Sequence, residues 1–257
     1  MIKTTIGFAL LATTFLSSAA SAFDITTDDL LEKLSNSPNV SWEEVGEDKK
    51  DETDVIAVNL PNDQTKYFQY TYTKPDNYTV TNTRINDTLG NANVTNVVFN
   101  GISSSEGKGG AIYNTQDNRD VNINADFIGN SATFVGSAYG GVIYNDDSGI
   151  IGNITGNFIG TSSASPYFYG GVIYNDGTIG NITGDFIRNS AAASSAVSSG
   201  GAIDNRGTIG DITGNFIRNS ATSSSMSNGG AIYNKSAIGD ITGNFIGNTA
   251  GKGGAKF

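Results

Sequence analysis

The stretch GGVIYNDGTIGNITGDFIRNSA, residues 170–191, decides the reading of this chain because it returns, slightly altered, again and again. The Gly-Gly pair begins at Gly109, Gly140, Gly170, Gly200, Gly229 and Gly253, at intervals of 31, 30, 30, 29 and 24 residues. Phenylalanine keeps step at Phe99, Phe127, Phe158, Phe186, Phe216 and Phe245, at intervals of 28, 31, 28, 30 and 29. A period of this length marks a solenoid or array. Units so rich in Gly, Asn, Thr and Ile do not sustain helices, which excludes the helical-repeat folds. What remains is short strands, as in Ala231-Ile232-Tyr233 and Asp240-Ile241-Thr242, separated by turns such as Asn175-Asp176-Gly177 and Asn205-Arg206-Gly207. Such strands are too short to be stable alone and must pair with their equivalents in the next unit. The expected fold is therefore all-β: a right-handed parallel β-helix with coils of about 30 residues, preceded by an N-terminal capping region.

Side-chain direction follows from the two-residue period of a strand. Ile112, Ile143, Ile173, Ile203 and Ile232 do not vary and are expected inside, with Ile154, Ile182, Ile212, Ile241 and the phenylalanines. The neighbouring column, Tyr113, Tyr144, Tyr174, Asp204 and Tyr233, includes an aspartate. An unpaired carboxylate in a core is costly, so this column is expected to face solvent. Asn145, Asn175, Asn205 and Asn234 stand at turns and can bond to the asparagine one coil along. Gly109, Gly110, Ile112, Phe127, Asn130, Gly200, Gly201, Ile203, Phe216, Asn219, Gly229, Gly230, Ile232, Phe245 and Asn248 are accordingly read as positions that build the coil.

The stretches Thr133–Tyr139, Ser162–Tyr169, Ala191–Ser199 and Thr222–Asn228 vary in length and composition and leave each unit at the same corner. Loops gathered on one face of a solenoid often form its contact surface. Tyr139, Tyr167, Phe168 and Tyr169 make two of them aromatic, and are the residues expected to meet a sugar or a protein.

The rest of the chain differs. Lys3, the apolar run Ile6–Leu16 and the ending Ala20-Ser21-Ala22 read as a signal peptide over residues 1–22. An apolar run of that length is too short to span a hydrocarbon core of about 30 Å, and no other stretch of the mature chain is long enough. Residues 23–64 are expected to form an acidic segment with a short helix from Thr27 through Leu30, Leu31 and Leu34, the run Glu43–Asp54 being solvated. Residues 65–98 are expected to cap the first coil and supply the first strands, and residues 99–257 are the repeats. Because Gly253-Gly254-Ala255 restarts the unit just before Phe257, the last repeat reads as truncated.

Composition excludes several chemistries. The 257 residues include no cysteine and no histidine, which removes thiol and Cys/His zinc chemistry and the commonest general base. Residues 24–63 hold 12 acidic and 3 basic side chains, whereas residues 64–257 hold 13 and 11. The repeats thus offer no basic patch, and nucleic acid is not expected as a partner. Asp126, Asp185, Asp211 and Asp240 occupy columns that elsewhere hold asparagine, and Arg188 with Asp185 reads as a surface ion pair. No catalytic constellation breaks the repeat, so neither an enzyme nor a cofactor nor a metal site is expected. A carbohydrate-active β-helix enzyme and an inert spacer are the rival readings.

Gly-Gly-Ala-Ile at 109–112, 200–203 and 229–232, with Phe-x-x-Asn at 127–130, 186–189, 216–219 and 245–248, resembles the polymorphic outer membrane protein repeats of autotransporters. The chain departs from that pattern in having Gly-Gly-Val-Ile at 140–143 and 170–173, and Thr161 in place of the asparagine after Phe158. The resemblance implies a passenger β-helix, exported and either displayed on the cell surface, released or periplasmic in a Gram-negative bacterium. It further implies an adhesin-like role toward a host-cell surface protein or glycan. Family members also carry a C-terminal outer-membrane barrel, and no run of alternating strands with aromatic girdles follows the repeats here.

Overall fold

A computed structural model describes residues 27–34, 39–60, 64–87, 93–119, 121–195 and 197–251. The expected signal peptide at 1–22, the restart at Gly253–Ala255 and Phe257 lie outside the described residues. The expected β-helix is found: nearly all regular structure is β, and strands of successive units stack in parallel through about five turns. The register is strict. Ile143 pairs with Ile112 on one side and Ile173 on the other, and Phe158 pairs with Phe127 and Phe186.

Stacking identical residues builds a core of columns. The rings of Phe99, Phe127, Phe158, Phe186, Phe216 and Phe245 form one continuous stack with centroids 4.7–5.1 Å apart and planes within 11° of parallel. Columns of isoleucine at 112–232 and 123–241 complete the interior. Truncating one of the fully buried rings to alanine is worth about 3–5 kcal/mol in such a setting.

The coil needs a sharp corner before each Ile-Tyr-Asn strand, and the Gly-Gly pair makes it in two ways. Gly170 has φ +69°, and a Cβ there would lie 2.2 Å from the carbonyl oxygen of Ile173. Gly171 lets the next coil approach, since a Cβ there would lie 2.0 Å from the carbonyl oxygen of Gly201.

Buried polar side chains are satisfied along the axis. Asn114 Nδ2 donates to Asn145 Oδ1, Asn145 to Asn175, Asn175 to Asn205 and Asn205 to Asn234, at 2.8–2.9 Å. The asparagine of Phe-x-x-Asn serves similarly: Asn189 Nδ2 donates to the Phe158 carbonyl at 3.0 Å, and its Oδ1 accepts the amide of Thr161 at 3.1 Å. Thr161 breaks this ladder, and its hydroxyl is buried with no hydrogen-bond partner. Thr161→Asn is expected to complete the ladder and stabilise the fold by about 1 kcal/mol, read as a rise in the midpoint of thermal or urea unfolding. Asp126 and Asp185 are fully buried in another ladder, alternating with asparagine, so that the two carboxylates stay two coils apart. Asp185 Oδ1 accepts the backbone amide of Asn215 at 2.7 Å. It is buried rather than at the surface, where the sequence reading places it with Arg188; the neighbouring coil's amide, invisible in a linear reading, is one partner it serves.

Short strands, rather than irregular loop alone, make up much of the stretches expected to vary. Outgoing strands Ser162–Ser165, Ser190–Ala193, Ser220–Ser223 and Thr249–Ala250 stack on one another. Returning strands Ser137–Tyr139, Tyr167–Tyr169, Val197–Ser199 and Met226–Asn228 do the same. Together they form a two-layered ridge with a small core of Ala138, Phe168, Ala191 and Ala193. Small side chains are what let two such layers approach closely.

The N-terminal part is placed differently from expectation. Strands Val40–Val45, Val55–Asn59 and Thr65–Tyr72 form an antiparallel sheet that straddles the 64/65 boundary and includes part of the acidic run. It lies along the flank of the solenoid rather than over its end. Phe-Ile in each coil puts phenylalanine inside and isoleucine outside, leaving a stripe of Ile128, Ile159, Ile187, Ile217 and Ile246 that would otherwise be wet. Leu30 and Leu34 of the helix Thr27–Leu34, with Val40, Trp42, Ile56, Val58 and Phe68, cover that stripe. Tyr72 Oη donates to Asp126 at 2.8 Å, and Arg218 Nη1 donates to the Val55 carbonyl at 3.3 Å, which fixes the sheet across several coils. Parallel stacking itself begins earlier than residue 99: Thr79–Thr81 pairs with Val94–Asn100, and Ile85–Asp87 pairs with Ile112–Asn114. Among the described residues no helix is long and apolar enough to cross a membrane.

Candidate functional site: a tyrosine-lined groove

The positions that carry the repeat motifs are unavailable for contact. Residues 109–112, 140–143, 170–173, 200–203 and 229–232 are all buried, and so are Phe127, Asn130, Phe216 and Asn219. What the motifs do is set the shape of the outer surface.

That surface has a re-entrant corner where the ridge meets the solenoid wall. Outward side chains on the two sides of a convex corner would diverge, yet Tyr139 and Tyr144, which flank Gly140-Gly141, have ring centroids 5.9 Å apart. Tyr139 also meets Tyr174 edge-on at 4.9 Å, and Tyr169 meets Tyr174 at 6.4 Å. The corner is thus a groove running along the axis. One wall carries the column Lys108, Tyr139, Tyr169, Ser199, Asn228; the floor carries Tyr113, Tyr144, Tyr174, Asp204, Tyr233. The opposite rim carries Thr115, Asp146, Asp176, Arg206, Lys235. Lys108 joins the wall column through its bridge to Tyr139, and the others follow from the strand registers.

The column expected to face solvent forms the floor of this groove, partly exposed at its ends, Tyr113 and Tyr233, and buried in its middle. Tyr144 is 7%, Tyr174 4% and Asp204 0% exposed. The physical argument against a buried aspartate is met locally, because Asp204 is paired with Arg206 at 3.1 Å and accepts the hydroxyl of Ser199. Burial nevertheless pushes the Asp204 carboxyl above its ordinary range, with Arg206 and Ser199 pulling the other way. The Tyr144 and Tyr174 hydroxyls are likewise raised, first by burial and then by the acidic rim. Tyr144 Oη donates to Asp146 Oδ1 at 3.2 Å.

The four aromatic residues named from sequence separate here. Tyr139 and Tyr169 stack at 5.3 Å in the groove wall. Tyr167 is 40% exposed nearer the ridge tip, in register with Ser137. Phe168 is fully buried in the ridge core and is corrected as a contact residue: in a three-residue strand its neighbours point out, so it points in. Sequence reasoning did not bring Lys108, Arg206, Asp146 and Asp176 together in one site. The available signal was the spacing Tyr144-x-Asp146, Tyr174-x-Asp176 and Asp204-x-Arg206, which puts each pair on one face of one strand.

The ring faces are largely taken. Tyr144 and Tyr174 stack at 5.4 Å, and Tyr113 meets Tyr144 at 5.3 Å with its ring tilted by 46°. Lys108 Nζ lies 5.1 Å from the centroids of both Tyr113 and Tyr144, and the Arg206 guanidinium lies 5.0 Å and 5.2 Å from Tyr169 and Tyr174. The groove therefore presents ring edges, hydroxyls and charges rather than open aromatic platforms. Among the described residues no group of three or more metal-ligating side chains is gathered.

Residues 96–115, which include Phe99 and the first Gly-Gly-Ala-Ile, match the Chlamydia polymorphic membrane protein (Chlamydia_PMP) repeat. No curated protein and no solved structure matches the chain. The match and the solenoid are consistent with an autotransporter passenger-type repeat protein.

Proposed function

We propose that the chain is a displayed, non-catalytic β-helix that binds a host-cell surface protein through the tyrosine-lined groove, in the manner of an adhesin. The observation that carries this reading is the division of labour in each coil: the Gly-Gly-Ala/Val-Ile residues, and the phenylalanine and asparagine of Phe-x-x-Asn in every coil but the last described one, are buried, while wall and rim side chains that change from coil to coil collect beside the tyrosine floor of one groove. Its composition of tyrosine, arginine and lysine on rigid strands is that of protein-binding hot spots. A protein partner is favoured over a glycan because the ring faces on which sugars would stack are occupied by other rings and by Lys108 and Arg206. The non-catalytic reading is supported by what the carboxylates do. Asp126 and Asp185 are buried acceptors of backbone amides, and Asp211 accepts the amide of Asp240 at 2.9 Å.

Tyr139→Ser with Tyr169→Ser tests the reading. The same wall column carries Ser199 and Asn228 in later coils, so the fold is expected to tolerate the change, with the circular dichroism spectrum retained. Binding to cultured host cells is expected to fall about tenfold or more. Undiminished binding by a folded double variant would exclude the groove as the contact surface.

A further inference from the structure

The groove already holds cations at both ends of its tyrosine lattice. Lys108 lies over Tyr113 and Tyr144, and Arg206 lies over Tyr169 and Tyr174, each within the ~6 Å over which a cation is attracted to a ring. Between those ends the rim changes sign. Asp146 and Asp176 are register neighbours one coil apart, Asp147 is fully on the surface, and none of the three has a salt bridge among the described residues. Two carboxylates one coil apart repel each other, and the Asp176 carboxyl is pushed up, first by burial and also by Asp146 and Asp147, while Tyr174 and Arg206 pull it down. Tyr139 and Tyr169, both partly exposed, stand on the opposite wall.

We propose that the middle of the groove binds an extended basic segment of the partner protein, its lysine or arginine side chains lying between Tyr139 and Tyr169 on one wall and Asp146, Asp147 and Asp176 on the other. The chain's own Lys108, from the wall, and Arg206, from the rim, each lie over tyrosine rings at the two ends, so the lattice itself shows what chemistry it accepts. An extended segment fits because the wall, floor and rim columns all run along the axis from coil to coil. This inference rests on the groove being the contact surface and adds the class of ligand.

The test uses the full chain and a fluorescein-labelled nine-residue peptide of alternating arginine and glycine, followed by fluorescence anisotropy at physiological salt. Asp146→Asn with Asp176→Asn is expected to weaken binding about tenfold. The rim column holds Thr115 and Lys235 in other coils, so asparagine is compatible with the fold. Asp48→Asn with Asp51→Asn, which removes the same charge from the N-terminal acidic turn, is expected to leave binding within about twofold. Equal weakening by the two double variants, no weakening by either, or capture of the polyanion heparin in preference to the peptide overturns the proposal. A chain that binds the peptide in the expected pattern but binds no cells removes the adhesive role and leaves the ligand class standing. A chain that binds cells through Tyr139 and Tyr169 without site-specific peptide binding does the reverse.

Discussion

Gly171→Ala is expected to prevent cooperative folding of the solenoid, whereas Gly160→Ala costs about 1 kcal/mol. The contrast separates two reasons for glycine that look alike in the sequence. At Gly171 the added methyl would sit 2.0 Å from the Gly201 carbonyl oxygen and 2.9 Å from its carbon. Both are backbone atoms of the next coil, held there by the ladder hydrogen bonds on either side, so relief would require separating two coils. Losing a ladder step and opening the core together exceed the 1–3 kcal/mol usual for an overpacked site, and the expected loss is about 4 kcal/mol or more. At Gly160 nothing lies within 4 Å of the added methyl, and only the left-handed backbone, φ +66°, resists it. The equivalent positions two and one coil along the same corner carry Arg218 and Arg188 at φ 51° and 55°, which shows that a side chain is tolerated there. Urea unfolding followed by circular dichroism distinguishes the two: a broad or absent transition for Gly171→Ala, a small shift in midpoint for Gly160→Ala.

Ile187→Asp is expected to release the N-terminal sheet while leaving the coils intact. Ile187 is fully buried among Leu30, Leu34, Trp42, Ile56 and Phe68, on the outer side of the strand whose inner residue is Phe186. A carboxylate there removes the apolar burial of Ile187 and must be desolvated in an apolar cluster, about 3 kcal/mol or more. Hydrogen exchange is the direct readout. Amides of Val40–Val45, Val55–Asn59 and Thr65–Tyr72 should exchange faster, while those of the Phe158–Ile159 and Phe216–Ile217 strands stay protected. If all regions lose protection together, the sheet and the solenoid are a single cooperative unit and the sheet is more than a cover.

The fold was legible because a solenoid repeats its one structural problem. The fixed spacing of Phe127, Phe158 and Phe186 matches a pairing of each with the next, and in-register parallel pairing brings the like side chains into one stack. The asparagine at the strand end was legible for the same reason, as its amide finds its like one coil away. What was not legible depends on contacts between non-equivalent residues. The tyrosine column pointed away from the core as alternation requires, but a second sheet folds back onto it at the Gly-Gly corner, and outward did not mean exposed. Asp204 argued for solvent only while its partners were unknown, although Arg206 stands two residues on. The isoleucine after each core phenylalanine was an available warning: two adjacent apolar residues in one strand cannot both face inward. That pattern calls for a cover, and residues 40–72 provide it along the flank rather than at the end of the stack.

The candidate groove was half legible. Tyr139 and Tyr169 were singled out for being aromatic in variable stretches, and they line it. Phe168 was grouped with them for the same reason and is core, because the sequence alone does not give the phase of a three-residue strand. The rim charges were not brought together, since each lies in a different unit and only the register aligns them.

The most direct test of the account is the in-register stacking that creates both core and groove. The chain has no cysteine, so Thr183→Cys with Thr213→Cys introduces two labelling sites, on exposed residues that pair across adjacent coils. Nitroxide labels at these positions should show strong spin–spin broadening in the continuous-wave spectrum, as expected for backbones about 4.8 Å apart, and the broadening should vanish on unfolding. Two sharp, independent label spectra in the folded chain would contradict the stacked register, and with it the core, the groove and the function drawn from them.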